Sequence, residues 1–256
     1  MSLPSSSAHV EFKNVSAFYQ SKQVLKNISF SIARNSVFGI IGPANSGKTT
    51  LLKTINRTLE LIGGARSDGD VSINGQSVKA IRNPNELRRR IGMVFPLPVG
   101  LPLTVYENVA FAPRRMGITK KTELDDIVER CLRQAVLWDE VKDRLSLLGT
   151  RLSGGQQQRL TLARALSLSP EILCLDEFSI AIDPVTTMRI EDVLKELRKS
   201  MTIILVTNLV QQARRLADEV LFLWRGEIIE LSPTSVVFSE TPRDKRTYDY
   251  VNGIFG

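Results

Sequence analysis

Gly42-Pro43-Ala44-Asn45-Ser46-Gly47-Lys48-Thr49-Thr50 fits the spacing G-x-x-x-x-G-K-[ST]. The apolar run that ends at Ile41 reads as a buried strand, and Thr49–Ile55 behind the loop reads as the start of a helix. Strand, glycine-rich loop and helix form the setting in which this pattern holds phosphate. Gly42 and Gly47 lack a Cβ, so the backbone wraps closely around an anion with its N–H groups turned inward. A helix beginning near Lys48 adds the positive end of its dipole at the same point. The pattern assigns Lys48 to the β- and γ-phosphates and the Thr49 hydroxyl to Mg2+. Residues 42–50 therefore read as a nucleoside triphosphate site.

Outward from the loop, Val10–Phe12 and Ile28–Ile32 alternate apolar and polar residues, which predicts antiparallel strands ahead of it. Phe18 and Tyr19 precede the polar turn Gln20–Gln23, and Val71–Gly75 reads as a strand running into an Asn-Gly turn. From Phe95 onward, Pro96, Pro98, Gly100 and Pro102 predict a rigid, irregular loop, followed by helices over Tyr106–Phe111 and Asp125–Trp138. This helical insertion closes near Leu152, and a strong helix follows over Arg159–Leu168, stopped by Ser169-Pro170. Glu171–Glu177 is an apolar run ending in Asp176 and Glu177. Buried parallel strands end this way at a nucleotide site, although adjacent carboxylates also suit a helix cap or a partner for Lys48. A helix over Pro184–Ser200, a strand over Thr202–Thr207 and a hairpin built from Val220–Trp224 and Ile228–Leu231 complete the chain. The expected fold class is α/β: a P-loop, RecA-like parallel-sheet core with an N-terminal antiparallel β layer and a helical insertion subdomain. It is read as one domain over 1–256, with 1–95 and 159–256 as core and 96–158 as the helical part.

A chain of 256 residues, 43% hydrophobic and 24% charged, has ample material for such a core. Its net charge of +7 suits nucleic acid, an anionic membrane surface, or a basic face balanced by bound nucleotide. No basic stripe interleaved with aromatics is present, so no nucleic-acid partner is expected. Cys131 and Cys174 lack metal-ligand spacing and read as reduced thiols. No apolar segment approaches the ~18 residues that span a bilayer, and Met1–Ser7 reads as a loose tail without a signal pattern. The expectation is a soluble protein that serves any membrane from the aqueous side, through partners.

Leu152-Ser153-Gly154-Gly155-Gln156, placed between the phosphate loop and Asp176-Glu177, resembles the nucleotide-binding domain of ABC transporters over nearly the whole chain. The likeness sharpens toward the ATP-binding subunit of bacterial phosphate importers at Leu61–Arg66, Leu87–Phe95, Leu137–Leu145, Asp244–Thr247 and Gly253–Gly256. The resemblance implies ATP and Mg2+ as cofactors. It implies Tyr19 as the aromatic stacked on adenine, Asp176 as the magnesium-associated carboxylate and Glu177 as the general base. Ser153, Gly154, Gly155 and Gln156 would hold the γ-phosphate of a second subunit in trans, with two chains sandwiching two ATP molecules head to tail. Ser153 and Gln156 also form a capping box, which uses the same helix N-terminus. The dimer partner implied is the chain itself or a related ABC subunit. The loop Leu97–Leu103 would touch integral-membrane permease subunits from the cytoplasmic face of the cell's inner membrane, as a peripheral protein without direct contact to the transported solute.

The chain departs from that family's pattern at three places. Pro96 stands where the family has the Q-loop glutamine, and Asn208 where it has the H-loop histidine. Pro96 offers no side-chain donor or acceptor, and Asn208 can still donate a hydrogen bond to phosphate but cannot carry charge or shuttle a proton. Ile180 removes a hydroxyl at the expected dimer seam. The only histidine, His9, is expected in the N-terminal tail, away from the site. Loss of a preorganised donor costs roughly 10²–10³ in rate. The expectation is ATP-dependent dimerisation with slowed hydrolysis, in an ATPase driving an importer. The alternatives are an ATP-binding dimerisation module with a regulatory or scaffolding role and little turnover, and an ABC ATPase acting on nucleic acid.

Overall fold

The structure, a computed structural model, describes residues 8–98 and 100–254. The expected tail Met1–Ser7, Val99 in the proline-rich loop, and the last two residues of the Gly253–Gly256 match lie outside them. The chain divides into two compact units, one holding residues up to Arg88 together with those from Ser200 onward, the other Arg89–Lys199.

In chain order the first unit contributes β1 (Ala8–Tyr19), β2 (Lys22–Ala33), β3 (Val37–Ile41), α1 (Lys48–Ile55), β4 (Ala65–Ile73), β5 (Gln76–Ser77) and α2 (Pro84–Arg89), which ends at the boundary. The second contributes β6 (Ile91–Val94), α3 (Val105–Arg115), α4 (Lys121–Gln134), α5 (Trp138–Val141), α6 (Gly154–Leu166), β7 (Ile172–Asp176) and α7 (Pro184–Leu197). The chain then returns with β8 (Thr202–Val206), α8 (Val210–Leu216), β9 (Glu219–Trp224), β10 (Glu227–Pro233), α9 (Thr234–Val237) and α10 (Lys245–Val251).

In the first unit, β2, β1, β4 and β5 form an antiparallel sheet in that order. The alternation along β1 and β2 buries Val10, Phe12, Ile28, Phe30 and Ile32 while their neighbours, His9 excepted, are less buried. Phe12 stacks on Phe30 with ring centres 4.4 Å apart, and Phe30 on Phe38 of β3 at 5.3 Å, which joins this layer to the parallel strands. There β3 runs parallel to both β8 and β9, and β10 closes antiparallel on β9. Every residue of β3 and β8 is buried, as continuous apolar runs of a sheet covered on both faces should be. His9 is a correction to the expected tail: it lies buried in β1, with Nδ1 2.6 Å from the Thr202 hydroxyl of β8.

In the second unit, β6 and β7 pair in parallel, and α3, α4 and α6 pack on one another. The helix expected over Asp125–Trp138 is instead two, because the backbone turns left-handed at Val136 (φ 55°). A β-branched residue resists that conformation. The turn closes through Leu137 N–H donating to Leu132 O, and Arg159 Nη1 fixes the Val136 carbonyl at 2.6 Å. The helix after Ser153 begins at Gly154, earlier than expected, and stops at Leu166. Cys131 and Cys174 are free and buried, and burial pushes both thiols up, so neither is a ready nucleophile.

Candidate nucleotide site

The first unit holds Tyr19, Gly42–Thr50 and Asn208. Because β3 and β8 are parallel neighbours, the phosphate-binding loop and Thr207-Asn208 leave the same carboxyl edge of the sheet. Thr207 N–H donates to Ile40 O at 3.2 Å, and Asn208 projects beyond as an exposed residue.

The loop glycines have a second reason to be glycine besides anion access. Gly42 has φ 149°, and a Cβ there would stand 2.0 Å from Leu223 O of β9. Gly47 has φ 102°, and its Cβ would meet Leu25 Cδ2 at 2.7 Å. The loop is also clasped from behind. The buried Ser46 donates its hydroxyl to Pro43 O at 2.8 Å, and Ser46 O accepts Gly226 N–H at 3.1 Å from the β9–β10 turn. Gly226 O in turn accepts Lys26 N–H of β2 at 2.8 Å. Pro43 and Thr49 are half-buried, while Ala44 and Asn45 form the exposed tip.

Lys48 is buried, and Nζ donates to Gly42 O at 2.7 Å and Pro43 O at 2.9 Å, which holds a cation at the mouth of the loop. Since α1 opens on Gly47, no side chain caps its first turn. A helix N-terminus without a side-chain cap and a buried ammonium suit a polyphosphate, and the hydroxyl chemistry of half-buried Thr49 next to Lys48 in the chain suits a magnesium ion. Tyr19 ends β1 half-buried, and its hydroxyl shares a 3.3 Å hydrogen bond with Thr50 Oγ1 of α1. Its neighbour Phe18 is covered by the Arg66 guanidinium at 3.8 Å. Of the two rings, Tyr19 is the one associated with the loop.

The second unit holds Pro96, Ser153–Gln156, Asp176 and Glu177. The β6–β7 register pairs Val94 with Leu175, so Pro96 and the two carboxylates leave the same carboxyl edge. Asp176 is buried at the end of β7, and half-buried Glu177 adopts φ 47°. A left-handed glutamate is strained by roughly 1 kcal/mol or more. It swings the chain into a tight turn, in which Ile180 N–H donates to Glu177 O at 3.3 Å and Ile182 N–H to Ser179 O at 3.0 Å. Asp183 then caps α7 by accepting Thr186 N–H at 2.9 Å, and this hydrogen bond holds its carboxyl below the usual range.

At the start of α6 the capping box is formed: Gln156 N–H donates to Ser153 Oγ at 3.4 Å and Ser153 N–H to Gln156 Oε1 at 3.1 Å. Gly155 lies against the turn after Glu177, where a Cβ would stand 2.8 Å from Ala181 O, while Gly154 faces open space. Glu140, which lies in the Leu137–Leu145 match but has no role assigned there, supports this helix start. It accepts Arg159 Nη1 at 2.6 Å and Gln156 Nε2 at 2.8 Å. The Arg159 hydrogen bond, more than any other influence, holds the Glu140 carboxyl below its ordinary value.

A parallel sheet that feeds a glycine-rich loop into a helix, with a lysine at the loop mouth, defines a P-loop nucleotide-binding ATPase fold. The family model described as ABC transporter matches residues 25–179. The chain is 46% identical over 248 residues to the phosphate import ATP-binding protein PstB of Thermotoga maritima, covering 96% of this chain and 98% of that one. The solved structure of CbiO1 from Clostridium perfringens, described as part of the ABC transporter complex CbiONQ, superposes with a TM-score of 0.79 at 25% identity, covering 91% of this chain and 92% of that one. A bacterial Atm1-family ABC exporter with ATP bound shares the fold, with a TM-score of 0.81 at 24% identity over the whole of this chain and 43% of that one. The chain belongs to the ABC transporter family as an ATP-binding, ATPase-type chain.

Proposed function

We propose that this chain is the ATP-hydrolysing subunit of an importer for inorganic phosphate, peripheral on the cytoplasmic face of the membrane and bound there to integral permease subunits. The observation that carries this reading is the 46% identity, over nearly the full length of both chains, to a phosphate import ATP-binding protein. Among the described residues no helix is long and apolar enough to cross a membrane, which suits attachment through partners.

In this reading Lys48 and the inward N–H groups of Gly42–Thr50 hold the phosphates, Thr49 and Asp176 hold the metal, and Tyr19 stacks on the base. Bound ATP with Mg2+ supplies the phosphoryl group and the charge that balances the cationic loop. Glu177, aimed by its left-handed backbone, accepts the proton of the attacking water. Ser153–Gln156 offer a helix N-terminus to the γ-phosphate in a second chain, so that dimerisation depends on nucleotide. Core 1–95 with 159–256, and helical part 96–158, remain our functional division of the single domain.

Pro96 and Asn208 leave two positions around the γ-phosphate without the family's donors, and turnover is slowed on that account. Turnover of the purified chain beside the Pro96→Gln/Asn208→His double variant tests this. The restored donors should raise the rate by roughly 10²-fold. A parent that already turns over at about 1–10 s⁻¹, with no gain in the double variant, refutes it. The same two residues favour the second reading, a dimerisation module with little turnover. Phosphate uptake by vesicles carrying the permease and this chain, lost in Lys48→Ala, decides for the transporter.

A further inference from the structure

Among the described residues between β6 and α3 none lies in a helix or strand, and the proline at 96 can neither donate from its backbone nor reach out with its side chain. Its exposed tip includes Leu97, 78% exposed, beside Phe95, 37% exposed. What holds this stretch is a set of amide side chains. Gln158, 1% exposed on α6, donates Nε2 to Phe95 O at 2.8 Å. Its neighbour Gln157 accepts Gly100 N–H on Oε1 at 3.2 Å and donates Nε2 to Leu152 O at 2.8 Å. At the far end, the buried Asn108 of α3 accepts Leu101 N–H at 3.2 Å and donates to Leu103 O at 3.0 Å. A Cβ on Gly100 would meet Gly149 O at 2.8 Å, so the backbone is pressed close as well as bonded.

Packing alone does not account for Gln158. Its Oε1 is buried and accepts no hydrogen bond among the described residues. An orphaned acceptor of this kind is costly, and an apolar side chain of the same length would avoid it. The amide persists with its nitrogen turned to Phe95 O. The helix that carries both glutamines begins three residues upstream with the capping box at Ser153. Consecutive residues of one helix thus hold Phe95 on one side of Pro96 and Pro98, and Gly100 on the other, to α6.

We propose that Gln157 and Gln158 are positioning residues that tie the proline-rich stretch to α6, so that any displacement of Ser153–Gly155 is delivered to Leu97 through the helix, independently of the residue at position 96. This rests on the permease reading above for its consequence, since Leu97 lies on the surface expected to meet the membrane subunits. The tie itself does not depend on that reading.

The test uses Gln158→Met, which keeps length and volume but loses the donor, and Gln157→Met beside Gln157→Glu, which retains the acceptor for Gly100 N–H. Amide hydrogen exchange of the full chain reads the tie. Gly100 should exchange about tenfold faster in Gln157→Met, and by a smaller factor in Gln157→Glu, which keeps an acceptor for Gly100 N–H but loses the donor to Leu152 O. In the complex with its permease, reconstituted in lipid vesicles, phosphate-uptake-linked turnover should fall about tenfold in the Gln157→Met/Gln158→Met double variant while basal turnover of the isolated chain stays within about twofold. Exchange unchanged in the Met variants overturns the proposal. So does a parallel fall of basal and uptake-linked turnover, which would place the glutamines in folding or catalysis. If the parent shows no permease-linked turnover at all while the exchange difference is present, the transport reading fails and the tie stands.

Discussion

Gly154 and Gly155 are adjacent, belong to one motif and differ sharply in what surrounds them, so alanine at each should move stability in opposite directions. At Gly154 a Cβ meets nothing within 4 Å, and its φ is not left-handed. Alanine there lowers the entropy lost on folding and gains up to about 0.5–1 kcal/mol, less in the first turn than in mid-helix. At Gly155 the Cβ would stand 2.8 Å from Ala181 O. Ordinary contact is about 0.6 Å longer, and the carbonyl lies in a turn already closed by Ile180 N–H and Ile182 N–H and ended by the Asp183 cap. Overpacking against such backbone costs roughly 1–3 kcal/mol. The two variants should therefore differ by about 2 kcal/mol. With a urea slope of about 2–3 kcal/mol per molar, this is a separation of roughly 0.7–1 M in midpoint. Urea unfolding followed by far-UV circular dichroism measures it. Alanine at 155 that is as stable as alanine at 154 would refute the claim that this glycine is required by the turn after Glu177.

Three further outcomes follow from the site. Gly226→Ala should destabilise the clasp behind the loop, because its Cβ would lie 2.2 Å from Val24 O at φ 79°; a fall in ATP affinity of about tenfold by calorimetry is expected, against no change for Gly63→Ala, whose Cβ meets nothing within 4 Å and whose backbone is not left-handed. Tyr19→Phe keeps the ring and loses only the long hydroxyl contact to Thr50, so ATP affinity should stay within about threefold, whereas Tyr19→Leu should lower it by about tenfold. Because the Glu140 carboxyl is held low in the folded chain, its contribution is fully present above the unfolded carboxylate value near ~4.3 and is lost as pH falls through the lower folded value. Glu140→Gln should therefore flatten the acid limb of stability below the unfolded carboxylate value, read as urea midpoints at each pH.

Much of this was legible in the residues because the local pattern and the tertiary demand agree. Every residue of β3, β7 and β8 is buried, and all but Asp176 and Thr202 at the strand ends are non-polar, so apolar runs located the parallel strands. The capping box at Ser153 was legible for the same reason: it is complete within four residues. What escaped depends on partners distant in sequence. The break at Val136 falls inside a helical apolar pattern, and only Arg159, far along the chain, holds its carbonyl. His9 looks like tail until Thr202 of β8 is seen beside it. Glu140 is one of many exposed acids, and nothing in its neighbourhood announces Arg159 and Gln156.

The glycines of the motif carry a further consequence for the enzyme. Gly42 is required by Leu223 O, Gly47 by Leu25 and Gly155 by Ala181 O, whether or not nucleotide is ever cleaved. A chain that lost activity would still have to keep these three to fold, so their presence speaks for the scaffold before it speaks for turnover. The departures fall elsewhere, at half-buried Pro96 and at exposed Ile180 and Asn208. At such positions a change in chemistry leaves the packing intact. Lys48 is a different case: its buried ammonium is held by Gly42 O and Pro43 O, hydrogen bonds that replace lost hydration, so its side chain answers a demand for charge at the loop rather than one of packing.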